Sequence, residues 1–207
     1  EAFKDCTGIT AVTIPESVLK VNEYAFSGCT SLKTVKNRAD LQWVADYAFS
    51  NCKSLEGFLN PVFVKSSDVL SGCTSLKSLE IADLSDTSFS YNNFIGGLRF
   101  IDCPNLESVI IPESCVILSL VRFENCPSLK EIVLPQNTSS PIKIKIIGCD
   151  NLSRIKLPLT TNSYESTSVY ISNCNNVSEL TFLNYLKVRT SRVKIQIQDM
   201  PALEKIE

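Results

Sequence analysis

The chain has 207 residues, 44% of them hydrophobic and 20% charged, with a formal net charge of −2. That balance describes an ordinary globular protein and argues against nucleic acid or an anionic membrane as the main partner. No apolar run approaches the roughly 18 residues of a membrane span, and the complete lack of histidine removes Ser-His-Asp and Cys-His machinery and the commonest zinc ligand.

Taken in order, the chain repeats itself. Cys6, Cys29, Cys52, Cys73, Cys103, Cys126, Cys149 and Cys174 follow one another at intervals of 23, 23, 21, 30, 23, 23 and 25 residues, and Met200 takes the ninth place. A position that accepts Met in place of Cys wants a soft apolar side chain rather than a covalent bond. The column therefore reads as buried, reduced thiols, although nine cysteines could also suggest a secreted disulfide scaffold. Only Cys115 lies outside the register. Cysteines a full repeat apart do not make a Cys-x-x-Cys metal site, and no cofactor motif is present. Gly96-Gly97 is an isolated pair that reads as a turn.

Each anchor opens the same phrase. The third residue after it runs Ile9, Leu32, Leu55, Leu76, Leu106, Leu129, Leu152, Val177, Leu203, and the sixth runs Val12, Val35, Phe58, Leu79, Val109, Ile132, Ile155, Leu180, Ile206. The eighth is apolar at Ile14, Ile81, Ile111, Leu134, Leu157 and Phe182. Positions six and eight share one side of a strand. Each repeat thus predicts one short parallel strand, stopped by Pro15, Pro112, Pro135 or Pro158 where these follow.

Three residues before each anchor stands Phe3, Phe26, Phe49, Leu70, Phe100, Phe123, Ile146, Ile171 or Ile197. Around the early ones, Val21/Ala25/Phe26 and Val44/Ala48/Phe49 have the spacing of a short helix or 3₁₀ segment. From Leu98 onward, pairs such as Leu98/Phe100, Val121/Phe123 and Ile144/Ile146 alternate with Arg99, Arg122 and Lys145, which reads as strand. The fold expected is a mainly β repeat solenoid: a leucine-rich-repeat right-handed superhelix of about nine turns. Helical or 3₁₀ segments should line the convex side of the N-terminal turns, and a second parallel β-sheet that of the C-terminal turns, with the change between Cys73 and Cys103. Stacked at about 4.8 Å per strand, it would make a rod roughly 40 Å long. No linker interrupts the repeats, so residues 1–207 read as a single solenoid domain. A start at Glu1 in mid-repeat, without Met, reads as a piece of a longer chain.

The pattern Ala-Phe-x-x-Cys-x-x-Leu-x-x-Val/Ile-x-Ile-Pro is clearest in Ala2-Phe3-Lys4-Asp5-Cys6 through Ile14-Pro15, in Ala25-Phe26-Ser27-Gly28-Cys29 and in Ala48-Phe49-Ser50-Asn51-Cys52. It resembles the BspA-type leucine-rich repeat family. The later turns lack the Ala-Phe pair. The resemblance implies a surface or secreted protein of the kind found in host-associated bacteria, with relatives in parasitic protists, acting in adhesion to host matrix proteins or other cells. It implies no catalytic residues, no metal and no cofactor.

Candidate contact residues follow from the solenoid. The 30-residue interval holds an insertion over 82–97 with Phe89, Tyr91, Asn92, Asn93 and Phe94, which suits recognition from a rigid scaffold or a plug at the change of wall. Asn162 and Tyr164 sit in a second polar stretch, and Lys187, Arg189 and Arg192 make a third locally basic. Ile110 and Val133 stand on the outward side of adjacent strands as a small apolar patch. Glu131, Arg154, Glu179 and Lys205 form a ladder of alternating charge, to be read as mutual pairing or as a ligand site. Partners expected are a protein or glycan on a host or other cell surface, with no nucleic acid and no membrane insertion of this segment. The alternative is a structural spacer without a ligand; clustered exposed aromatics on one face would favour binding, and an evenly charged face the spacer.

Overall fold

The computed structural model describes residues 1–37, 43–58, 68–81, 94–135, 143–158, 167–183 and 193–207. The repeat positions become two walls around one continuous core. The front wall is built from nine short strands: β1 (Ala11–Ile14), β3 (Thr34–Asn37), β5 (Gly57–Phe58), β6 (Ser78–Glu80), β8 (Ser108–Ile110), β10 (Glu131–Val133), β12 (Arg154–Pro158), β14 (Glu179–Leu183) and β16 (Lys205–Ile206). They form three parallel sheets, β1-β3-β5, β6-β8 and β10-β12-β14-β16, in the register of the anchors: Val12 opposite Val35, Ile132 opposite Ile155, Leu180 opposite Ile206. Backbone bonds just before the strands stitch coil to coil, from Lys33 N–H to the Thr10 carbonyl (2.8 Å) through Lys77 N–H to Glu56 (3.0 Å) and Lys130 N–H to Glu107 (3.2 Å). Pro158 does not follow its strand but is the last residue of β12, opposite Leu183.

The back wall changes along the chain. In the first coils it holds two-residue strands β2 (Lys20–Val21) and β4 (Trp43–Val44), each followed by consecutive tight turns. Later it becomes a five-stranded parallel sheet in the order β15 (Val193–Gln198), β13 (Thr167–Ser172), β11 (Lys143–Ile147), β9 (Val116–Glu124), β7 (Phe94–Ile101). The second sheet thus starts within the interval between Cys73 and Cys103.

The helical or 3₁₀ segments expected in the early coils do not form among the described residues; the back wall there is made of turns. The backbone bonds show why. Ala25, Ser27 and Cys29 donate within their own coil to Asn22, Tyr24 and Phe26, while the intervening Tyr24, Phe26 and Gly28 donate across to Asp46, Ala48 and Ser50 of the next coil. A helix would keep every bond within the coil and leave the stack unstitched. Gly96-Gly97 is likewise not a turn. It lies inside β7, at a register irregularity between Ile95 and Gly97, where residues without a side chain accommodate a bulge.

Seven of the eight column cysteines, Cys29 to Cys174, are fully buried; Cys6, in the end coil, is partly exposed, and Cys115 is buried too. All nine are free thiols. The thiol is more than a soft filler. Cys29, Cys52 and Cys73 donate to the carbonyls of Phe3, Phe26 and Phe49 in the preceding coil, each at 3.1 Å. Cys126 donates likewise to Phe100 at 3.5 Å. The aromatic column stacks in parallel beside them: Phe3 on Phe26 at 5.1 Å, Phe26 on Phe49 at 5.2 Å, and Phe100 on Phe123 at 5.3 Å.

One residue before every anchor the backbone turns left-handed. Asp5, Gly28, Asn51, Gly72, Asp102, Asn125, Gly148, Asn173 and Asp199 all have φ between 52° and 74°. Only Gly, Asn and Asp occupy the column, the residues that tolerate this region at least cost. Within it, side chains and gaps interleave: a Cβ on Gly28 would lie 2.0 Å from Asp5 Oδ1, and one on Gly72 would lie 2.5 Å from Asn51 Oδ1.

Candidate functional site

The front wall presents paired charge. Glu131, Arg154, Glu179 and Lys205 stand opposite one another in register. Arg154 is bonded to Glu131, its Nε at 3.1 Å, and Lys205 lies 3.8 Å from Glu179. A second ladder, one residue earlier in each coil, extends the pattern through Lys33, Glu56, Lys77, Glu107 and Lys130, with Lys77 2.9 Å from Glu56 and Lys130 bonded to Glu107. These exposed pairs contribute little each.

Of the residues singled out from the sequence as an apolar patch or loop contacts, the structure describes the side chains of Ile110 and Val133, on neighbouring front strands. Ile110 is 56% exposed on β8, opposite Glu80, whereas Val133 is half-buried on β10, opposite Lys156. Phe94 opens β7, and its side chain lies outside what the structure describes; Phe89, Tyr91, Asn92, Asn93, Asn162 and Tyr164 fall outside the described residues, as do Lys187, Arg189 and Arg192.

A cluster that the sequence reading passed over lies on the back of the first coils. Tyr24 stacks on Tyr47, five residues before successive anchors, with ring centroids 5.0 Å apart and planes 9° apart. Both are held left-handed, at φ 55° and 57°, a conformation costly for bulky side chains. Beside them Trp43, the single tryptophan of the chain, is 41% exposed on β4, and Tyr47 is 36% exposed. Lys4 lies over the Tyr24 ring at 5.2 Å and Lys20, opposite Trp43 in register, over the indole at 5.7 Å. A concavity of about 530 Å³ opens between them, bordered by Glu1, Lys20, Asn22, Glu23, Tyr24 and Trp43. The Asp68 carboxylate, followed by burial, pushes the Tyr47 phenol above its ordinary value, so it stays protonated and can donate. Asp68 itself is buried and held by Arg99 at 2.7 Å.

An apolar hollow of about 550 Å³ also opens inside the first coil, lined by Phe3, Ile9, Val12, Ile14 and Val18. Its walls are the same columns that later coils bury, so it is the cross-section of the core rather than a shaped site. Among the described residues, no group of three or more Cys, Asp and Glu is placed to hold a metal ion, and no helix is long and apolar enough to cross a membrane.

The signal for the aromatic cluster was available in the sequence: a lone tryptophan, and tyrosines 23 residues apart at the same repeat position. It was hidden because Tyr24 reads as part of the repeat phrase, and because repeat periodicity says which residues face inward more clearly than which outward residues meet.

Two facing parallel walls, a column of anchors and one short front strand per coil define a leucine-rich-repeat solenoid. The BspA type leucine rich repeat region profile matches residues 1–96 and 93–193 in six copies, and the chain belongs to that family. The coil anchored at Met200 lies beyond the matched span, and the copies are fewer than the nine anchors. Two crystal structures are similar to this chain. A leucine-rich repeat protein from Bacteroides ovatus is 18% identical over 99% of this chain and 67% of its own, with a TM-score of 0.47. A leucine rich cell surface protein from Faecalibacterium prausnitzii is 19% identical over 89% of this chain and 62% of its own, with a TM-score of 0.38. No curated protein matches the chain.

Proposed function

We propose that the chain is a non-catalytic binding module, displayed at a cell surface or secreted, that adheres to a protein or glycan of a host or another cell. The observation that carries this reading is the aromatic cluster of Trp43, Tyr24 and Tyr47, in which Trp43 and Tyr47 are exposed and the two tyrosines are held in a costly backbone conformation. Aromatic side chains at a surface supply large contact area at low entropic cost and recur at binding hot spots. Membership of the BspA-type family supports the surface location. The segment at 89–94, with Phe89, Tyr91, Asn92, Asn93 and Phe94, is offered as a further contact region, as are Ile110 and Val133 on the front and Asn162 and Tyr164. The spacer reading has its own support in the self-paired charge of the front wall.

The test is solid-phase binding of the chain to immobilised matrix proteins and to intact host and microbial cells. Saturable binding, competed by unlabelled chain, is expected for at least one target. Uniform background across the panel would favour the spacer.

A further inference from the structure

We infer that the hollow between Tyr24 and Trp43 is a carbohydrate site that takes a neutral sugar ring; the inference rests on the binding reading above and names its ligand class. Three features of the hollow point this way. Two aromatic side chains border it: Trp43, 41% exposed, offers ring surface, and Tyr24, its faces taken by Tyr47 and Lys4, walls one side. The negatively charged face of an aromatic ring attracts the weakly positive C–H bonds that line one side of a pyranose. Around the hollow stand groups that match ring hydroxyls: Asn22 can both donate and accept, Glu23 accepts and Lys20 donates. The volume of about 530 Å³ lies within the range of small-ligand sites.

Charge sets the kind of sugar. Two ammoniums, Lys20 and Lys4, the latter over the bordering Tyr24 ring and 3.8 Å from Glu1 Oε1, balance two carboxylates, Glu1 and Glu23. Lys20 is already engaged by the Trp43 face at 5.7 Å. A charged sugar would meet no net opposite charge here, whereas a neutral hexose or N-acetylhexosamine needs none. The tyrosine stack fixes one side of the site: Tyr24 is held between Tyr47 at 5.0 Å and the Lys4 ammonium at 5.2 Å, so its ring is positioned before any ligand arrives.

Because Trp43 is the single tryptophan, its fluorescence reports this site alone. The intact chain is titrated with lactose, maltotriose, mannobiose and N,N′-diacetylchitobiose, and with sialyllactose as the acidic comparison, up to tens of millimolar. At least one neutral sugar should change Trp43 emission saturably, and sialyllactose should act at least tenfold more weakly. Tyr24→Gly, which suits the left-handed backbone, and Glu23→Gln should each weaken the neutral sugar at least fivefold, while Lys77→Ala on the front wall should leave it unchanged. A linear response to every sugar, a preference for sialyllactose, or saturation indifferent to both Tyr24→Gly and Glu23→Gln would overturn the inference. Cell or matrix binding that survives periodate oxidation of the target's glycans would overturn it too, while leaving the binding reading intact.

Discussion

Gly28 and Asp5 share one space between adjacent coils. A Cβ on Gly28 would meet Asp5 Oδ1 at 2.0 Å, and the backbone stands at φ +74°. Gly28→Ala is therefore expected to destabilise by at least the roughly 1–2 kcal/mol of a left-handed alanine, with the clash added. Asp5→Gly in the same chain should recover the clash and not the backbone cost. Urea midpoints of the two variants measure both; a neutral Gly28→Ala would mean that the coils are not interleaved here. Phe123, 1% exposed and stacked on Phe100 at 5.3 Å, should cost about 3–5 kcal/mol on truncation to alanine.

The thiols make a third residue-scale test. Burial pushes Cys29 up, Cys52 up to about 12, and Cys73 further still. Cys103 and Cys149 are pushed up first by hydrogen bonding to Cys126 and then, after a second such bond from Cys174 in the case of Cys149, by burial. Cys126 and Cys174 are lowered, first by hydrogen bonds with Cys103 and Cys149 respectively, but both are fully buried, so a thiol-reactive reagent at neutral pH should label Cys6, partly exposed in the end coil, and leave the others until the chain unfolds. Fast labelling of Cys52 or Cys126 in the folded chain would contradict a closed column. The anchor's burial was legible from Met200 standing in for Cys. Its role as a donor was not, because a periodic apolar column carries no trace of where the S–H points.

At the scale of the element, the front strands were readable because sequence fixes their two-residue alternation and shared inward face. The back wall of the early coils was not. Val21, Ala25 and Phe26 are spaced as in a helix, yet every second N–H reaches the next coil, and a single coil's sequence does not encode that partner. The front ladders carry a prediction of their own. The carboxyls of Glu56, Glu107 and Glu207 are held below the ordinary value of 4.5, first by hydrogen bonds from Lys77, Lys130 and Lys205. Lowered folded values mean that this stabilisation is present above the unfolded value and is lost as pH falls through the folded ones. Lys205 is raised above 10.5, chiefly by Glu207, so its contribution is present below that pH and lost as pH rises past its folded value. Melting temperature should be flat between these limits and fall outside them. The acid-side loss should shrink in high salt, because the pairs are exposed; a loss of equal size at low and high salt would contradict pairing as its source.

At the scale of the molecule, two surfaces divide the work. The front wall pairs several of its charges across coils, and the first coils of the back wall leave Trp43 and Tyr47 exposed. Family and architecture were legible because repetition states the same rule nine times over. The aromatic cluster is stated only once, by residues from two coils that meet only when the coils stack.

The most direct measurement is binding to the same matrix and cell panel by two variants of confirmed fold. One carries Trp43→Ala with Tyr47→Gly on the back wall; the other carries Lys77→Ala with Arg154→Ala on the front. The account predicts at least tenfold loss of binding for the first and less than twofold for the second. Binding lost through the front variant and kept by the back one would contradict it.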